Sequence, residues 1–260
     1  MNDLRKQESI LQKLWLDRSI ANGDGDELVK DGLLYRGKIY FENRYWHRDS
    51  GNEVAQWNEA ATKLLILTKD LNDTEAWDIC EETGRRNCVA FDYGKAIPFY
   101  KNLRMWSYGL QTLKDGKAAD FERASDMNIS GPHYEQAPIA RINCKKQCGS
   151  SSISDKALNE NISRYADLLQ RQIALYDADI LLCCGCKSGK NVLLNFVRNT
   201  YLTDLECVEG TGNWIYYSPS TRKIAINSYH PSSRISYQDN YNGMMSAYEY
   251  FINNVKKELI

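Results

Sequence analysis

Lys63-Leu-Leu-Ile-Leu-Thr-Lys-Asp-Leu-Asn72 decides the fold, because its apolar run stops abruptly at a charged pair, Lys69 and Asp70. An apolar run bounded by polar residues and too short for a helix reads as a strand buried on both faces. Strands of that kind belong to parallel sheets, which bind their ligands at the carboxyl ends. Asp70 is therefore a candidate site residue by position alone.

Further strands of the same type follow. Ile139-Ala-Arg-Ile-Asn-Cys144 runs into Lys145, Lys146 and a Gly-Ser loop over 149–152, and Asp179-Ile-Leu-Leu-Cys-Cys-Gly185 ends in a glycine turn. Lys223 to Ser228 carries the fourth, Ile224-Ala-Ile226, as the second arm of a hairpin with Trp214 to Ser218. Helical stripes lie between them. Pro98 suits the first turn of a helix burying Phe99, Leu103, Trp106 and Leu110. A helix starting at Ser154 or Asp155 buries Ile162, Tyr165, Leu169, Ile173 and Tyr176; one starts at Val192, and one spans Met244 to Leu259. The expected fold is a three-layer α/β/α domain with a central, mainly parallel four-stranded sheet. It covers residues 1–260 as a single domain with a helical and extended N-terminal extension, 1–60. That extension reads as a helix over 4–21, an extended pair turning near Arg36-Gly37, and a helix over 53–62. The connection from Asp73 to Phe91 is long, polar and carries Arg85 and Arg86, as functional loops often do.

Composition bounds the function. The 43% hydrophobic content suffices for a core, and 33 basic against 34 acidic residues mean that a nucleic-acid partner must be met by a local patch. The start shows no secretory signal, and no run approaches the roughly 18 apolar residues of a membrane span. Eight cysteines in such a chain fit reduced thiols, so a cytoplasmic, monomeric protein without membrane association is expected. If the four strands are parallel neighbours, their ends gather Asp70, Asn143, Lys145, Lys146, Lys187 and His230, with Lys69 and Arg234 close by. A basic rim around an Asp, an Asn and a His suits an anionic polymer.

This spacing resembles the uracil-DNA glycosylase superfamily. That family ends its first strand in a Gly-Gln-Asp-Pro-Tyr-His-like motif; here Thr68-Lys-Asp-Leu-Asn-Asp73 keeps the Asp and not its Gly, Pro, Tyr or His neighbours. Val89-Ala-Phe-Asp92 with Ile97-Pro98 is similar to the stretch holding the family's base-stacking Phe, and Asn143 stands where a base-reading Asn closes the second strand. His230-Pro-Ser232 matches the motif after the last strand. The resemblance spans about residues 60–255. It implies base excision from DNA or another nucleic acid, with base flipping and without a cofactor. Asp70 and His230 would be catalytic, with Phe91, Asn143 and Lys69 binding the base. Lys145, Lys146, Lys187, Ser232, Ser233 and Arg234 would meet the strand.

The chemistry is consistent with that set. A flipped base must be gripped by a ring and read along its edge, and an amide offers a donor and an acceptor together. Cleaving the N-glycosidic bond builds positive charge on the sugar and negative charge on the departing base. A carboxylate answers the first and a histidine donor the second. Two alternatives remain. A catalytically silent member of the fold would bind nucleic acid or a protein, as the altered first motif suggests. A nucleotide binder would use Gly185-Cys-Lys-Ser-Gly-Lys190, which imitates a phosphate loop but is one residue short and has Asn191 where Ser or Thr should hold magnesium. No metal is expected: Cys183 and Cys184 lie in a core strand, and no cysteine precedes Cys80 to complete the four-cysteine set of the family's iron–sulfur branch.

Overall fold

The computed structural model describes residues 3–70, 75–81, 97–149 and 152–256, the side chain of Trp46 aside. Along the chain, α1 (Asp3–Asn22) precedes β1 (Gly32–Leu33), the hairpin strands β2 (Ile39–Glu42) and β3 (Tyr45–Arg48), α2 (Glu53–Glu59) and β4 (Leu64–Thr68). Then come α3 (Pro98–Gln111), α4 (Phe121–Ser125), α5 (Met127–Gln136) and β5 (Ile139–Asn143). Next are α6 (Asp155–Arg164), α7 (Ala166–Tyr176), β6 (Ile180–Cys186) and α8 (Val192–Thr200). The chain finishes with β7 (Glu206–Cys207), β8 (Ile215–Ser218), β9 (Lys223–Tyr229) and α9 (Tyr237–Tyr250), whose last turn widens over Phe251–Val255.

The main sheet has seven strands in the order β1-β5-β4-β6-β9-β8-β7, where four were expected. The four read as core strands are its middle, and all pair in parallel. The additions are antiparallel: β1 on β5, and β8 and β7 beyond β9. β1 and β7 are two residues each, too short to carry a period. Within β4, side chains alternate between the layers as a pleated strand requires. Leu65 and Leu67 join Trp15, Trp57, Ile162, Leu169 and Leu193 on one face, while Leu64 and Ile66 join Leu103, Trp106, Met244 and Phe251 on the other. This is the three-layer α/β/α arrangement.

The N-terminal stretch is built into this body. Gly32 and Leu33 extend the sheet, and Trp15 of α1 stacks on Tyr165 at 5.0 Å between ring centroids. The hairpin turns at Asn43 and Arg44, both with left-handed φ (50° and 68°), and not at Arg36-Gly37. Two positive φ values at the centre are what a tight two-residue hairpin needs, and Asn tolerates them well. Arg36 instead reaches the end of α5, where its guanidinium donates to the carbonyls of Tyr134 (2.9 Å) and Ala137 (2.6 and 2.9 Å). The helix expected from Ser154 onward is interrupted at Tyr165, yet its apolar stripe stays buried throughout. The last helix starts earlier than Met244, at Tyr237, where Ser236 caps it by accepting from the Asp239 N–H. No helix among the described residues is long and apolar enough to cross a membrane.

Topology places the ligand edge. The chain leaves β4 for β5 on one side and leaves β6 for β9 on the other, so the switch in direction lies between β4 and β6. Above it, the pairing of β6 with β9 shifts register between Cys184 and Cys186. Gly185 stands at the shift, packed against the start of α8. A Cβ there would stand 2.7 Å from Asn191 Oδ1 and 3.2 Å from Leu193 Cγ, both in the buried start of α8. Gly185→Ala is expected to lower stability by about 1–3 kcal/mol, measured by denaturant unfolding.

Candidate active site

β4 and β5 remain paired beyond their formal ends, which fixes Asp70. Thr68 lies opposite Asn143, the Cys144 N–H donates to the Thr68 carbonyl (2.8 Å), and the Lys145 N–H donates to that of Lys69 (2.9 Å). On the far side, Cys186 pairs with Tyr229, which brings Lys187 level with His230. These ends line a pocket of about 450 Å³ that holds Lys69, Asp70, Asn143, Lys187, His230 and Ser232. Its apolar wall comes from Phe99 and Tyr100 in the first turn of α3, with Ile97, Trp77 and Ile153. Asp70 and His230, separated by most of the chain, therefore share one cavity.

His230 is held in one tautomer. The Ser232 backbone N–H donates to Nδ1 at 3.1 Å, so Nδ1 is the acceptor and the proton of the neutral ring sits on Nε2. Burial, with Lys69 adding to it, pulls the imidazole down to about 4, so the ring is neutral at physiological pH. The loop is tied down by Asn102, which donates to the Pro231 carbonyl at 2.6 Å. The Phe99 ring lies 5.9 Å from the imidazole. The result is a neutral hydrogen-bond donor next to an aromatic wall.

Asp70 is half-buried, and burial raises its carboxyl above the ordinary aspartate range against the pull of Lys145 and Lys69. Lys69 itself pairs with Asp155, the first residue of α6, at 2.9 Å. Asn143 is buried, and its Oδ1 accepts from the Thr68 hydroxyl. A carboxamide held this way keeps its two N–H groups and one oxygen lone pair for a ligand.

The residues expected to meet a nucleic-acid strand divide. Lys187, Ser232 and Arg234 are exposed, as a phosphate contact needs. Lys145 is half-buried and donates to the carbonyls of Gln147 (2.7 Å) and Cys148 (3.0 Å). Lys146 is 2% exposed and paired with Asp31, which removes it from the expected basic rim. The Ser233 hydroxyl is buried too, so Ser233 does not belong on a phosphate-facing surface. Phe91, Arg85 and Arg86 lie outside the described residues.

Three residues were missed by sequence reasoning. Phe99 and Tyr100 hid in a helix start read for its core face. Arg141 stands two residues before Asn143 on β5, hence on the same face, where its guanidinium lies 5.6 Å from the Phe99 ring centre and 5.9 Å from that of Tyr100. The period of two could have flagged it.

The loop that imitates a phosphate cradle is closed on itself. Lys187 and Lys190 exchange backbone hydrogen bonds (2.8 and 3.0 Å), and Asn191 Oδ1 accepts from the Leu193 and Leu194 N–H groups at the start of α8. The N–H groups of Lys187, Lys190, Leu193 and Leu194 are thus turned to partners within the protein and not to a phosphate. Among the described residues, no three His, Cys, Asp or Glu side chains form a cluster suited to a metal ion. No protein-family model matches the chain, and comparison with curated proteins finds no relative.

Proposed function

We propose that this protein hydrolyses the N-glycosidic bond of an altered base in DNA, a deaminated base for example, as a divergent member of the uracil-DNA glycosylase superfamily. The observation that carries the reading is the single pocket shared by Asp70, Asn143 and His230, which follow the chain order of that family's motifs. A flipped base would lie against the Phe99 ring, with its edge on the Asn143 amide. The neutral His230 would donate from Nε2 to a carbonyl oxygen of the departing base as negative charge gathers there. The C1′–N bond breaks with its electron pair going to the base. Asp70, as carboxylate, faces the positive sugar and takes the proton of the water that adds to C1′. The base leaves as an anion hydrogen-bonded to His230 and takes up, through solvent, the proton that Asp70 removed from the water, so that one water is consumed and the strand keeps an abasic sugar. Lys187, Arg234 and the Ser232 hydroxyl would hold the phosphates on either side.

Duplex and single-stranded oligonucleotides carrying uracil, hypoxanthine, xanthine or a methylated base test this directly, with alkaline scission as the readout. At least one of them is expected to be cut at the altered base. Binding without release from any member of the panel would instead favour a catalytically silent nucleic-acid-binding protein, the reading suggested by the loss of the Gly, Pro, Tyr and His neighbours of Asp70.

A further inference from the structure

We propose that Asp31 is a positioning residue for Asn143, so that the N-terminal stretch completes the site from behind. The inference rests on reading Asn143 as the residue that contacts the base. β1 gives β5 a partner only as far as Gly32, which lies opposite Arg141. The Asn143 N–H therefore faces the side of β5 where the edge strand has run out. Asp31 fills the gap with its side chain: Oδ2 accepts from the Asn143 N–H at 2.7 Å.

The carboxylate is itself held by two more groups. Oδ2 also accepts from the Lys146 ammonium, and Oδ1 accepts from Gln172 Nε2 at 2.8 Å. Asp31, Asn143, Lys146 and Gln172 are each at most 4% exposed. The Lys146 ammonium lies 5.3 Å over the Trp15 ring, so α1 closes the set from outside. Apolar residues of similar volume often replace a buried ion pair at no loss of stability, so stability alone does not require this arrangement. Geometry does. Asn143 is clamped twice, its backbone by Asp31 and its carboxamide by Thr68, and a group that reads an edge must be held to within a fraction of an ångström. Lys146 then acts as the counter-ion of Asp31 and not as a phosphate contact.

The test compares the parent protein, Asp31→Asn, and Asp31→Asn combined with Lys146→Met, which removes the ammonium that the first change leaves buried without its partner. Folding of each is checked by circular dichroism and thermal unfolding. For the folded variants, kcat/KM is measured on the best base of the panel and on a poorer one. Discrimination between the two bases is expected to fall by about 10- to 10²-fold, while the acid limb of the pH profile set by Asp70 keeps its midpoint. In an Asn143→Ala background the Asp31 change is expected to cost nothing further in discrimination, because both act on one contact. Unchanged discrimination in the folded variants, or losses that add in the double variant, would overturn the inference and leave the reading of the site intact. A parent protein that releases no base overturns both, and that result is visible before any variant is made. Lys146→Met is expected to leave the salt dependence of DNA binding unchanged. A fall of about one in the log–log slope would mark Lys146 as a phosphate contact after all.

Discussion

Asp70→Asn is expected to lower the single-turnover rate of base release by about 10²–10⁴-fold, the range usual for losing a positioned acid–base group. DNA binding should stay within a few-fold of the parent. The side chain keeps its size and loses its charge, so on the proposed mechanism the change removes the group that would answer the positive sugar and accept the water proton, and it leaves the pocket wall in place. The parent's pH profile supplies a second signature. Burial raises the carboxyl above its ordinary value of 3.8, partly offset by Lys145 and Lys69, and the reactive form is the deprotonated one. The rate therefore falls on acidification with a midpoint above that of an exposed aspartate, and Asp70→Asn abolishes this dependence along with the rate. An equal loss of binding and rate would instead identify Asp70 as part of the strand contact.

His230→Ala is expected to cost about 10²–10³-fold in kcat, as the loss of one donor aimed at a developing negative charge does. His230→Gln keeps a donor of similar reach and should recover part of it. The ring is neutral above about 4, so its state does not change between pH 5 and 8 and contributes no slope there. Stability behaves differently. In the unfolded chain the imidazole takes up its proton near 6.5, and in the folded chain it does so near 4, so the unfolded state binds more protons between these values. The contribution of the neutral ring is complete above about 6.5 and is lost as the pH falls toward 4. His133 is likewise pulled down to about 4 by burial and by Arg36. His230→Gln should thus flatten only part of the drop in melting temperature between pH 6.5 and 4. A parent whose melting temperature does not move across that range would show that the imidazole protonates freely in the folded protein.

Continuous apolar runs made the four parallel strands legible, and the direction of their connections then told where a ligand would sit. The sheet edges were not legible because a strand of two residues has no period to read. Lys145 and Lys146 show the limit most clearly. The two look alike in sequence, yet Lys146 turns inward onto Asp31 while Lys145 stays half-buried among loop carbonyls. Asp31 itself stands between Lys30 and Gly32 with no pattern around it, so nothing local could tie it to a residue more than a hundred positions away. That Asp70, Asn143 and His230 share one edge was legible because each stands at or just past the carboxyl end of a core strand.

One hydrogen bond bears on how the pocket is held. Asn102 reaches the Pro231 carbonyl from the same helical turn that carries Phe99, which ties the aromatic wall to the His230 loop. Asp70 and Asn143, joined through the β4–β5 ladder, form the wall opposite. The spacing between the Phe99 ring and the imidazole is therefore set on one side of the pocket, independently of the ladder that sets Asp70 and Asn143.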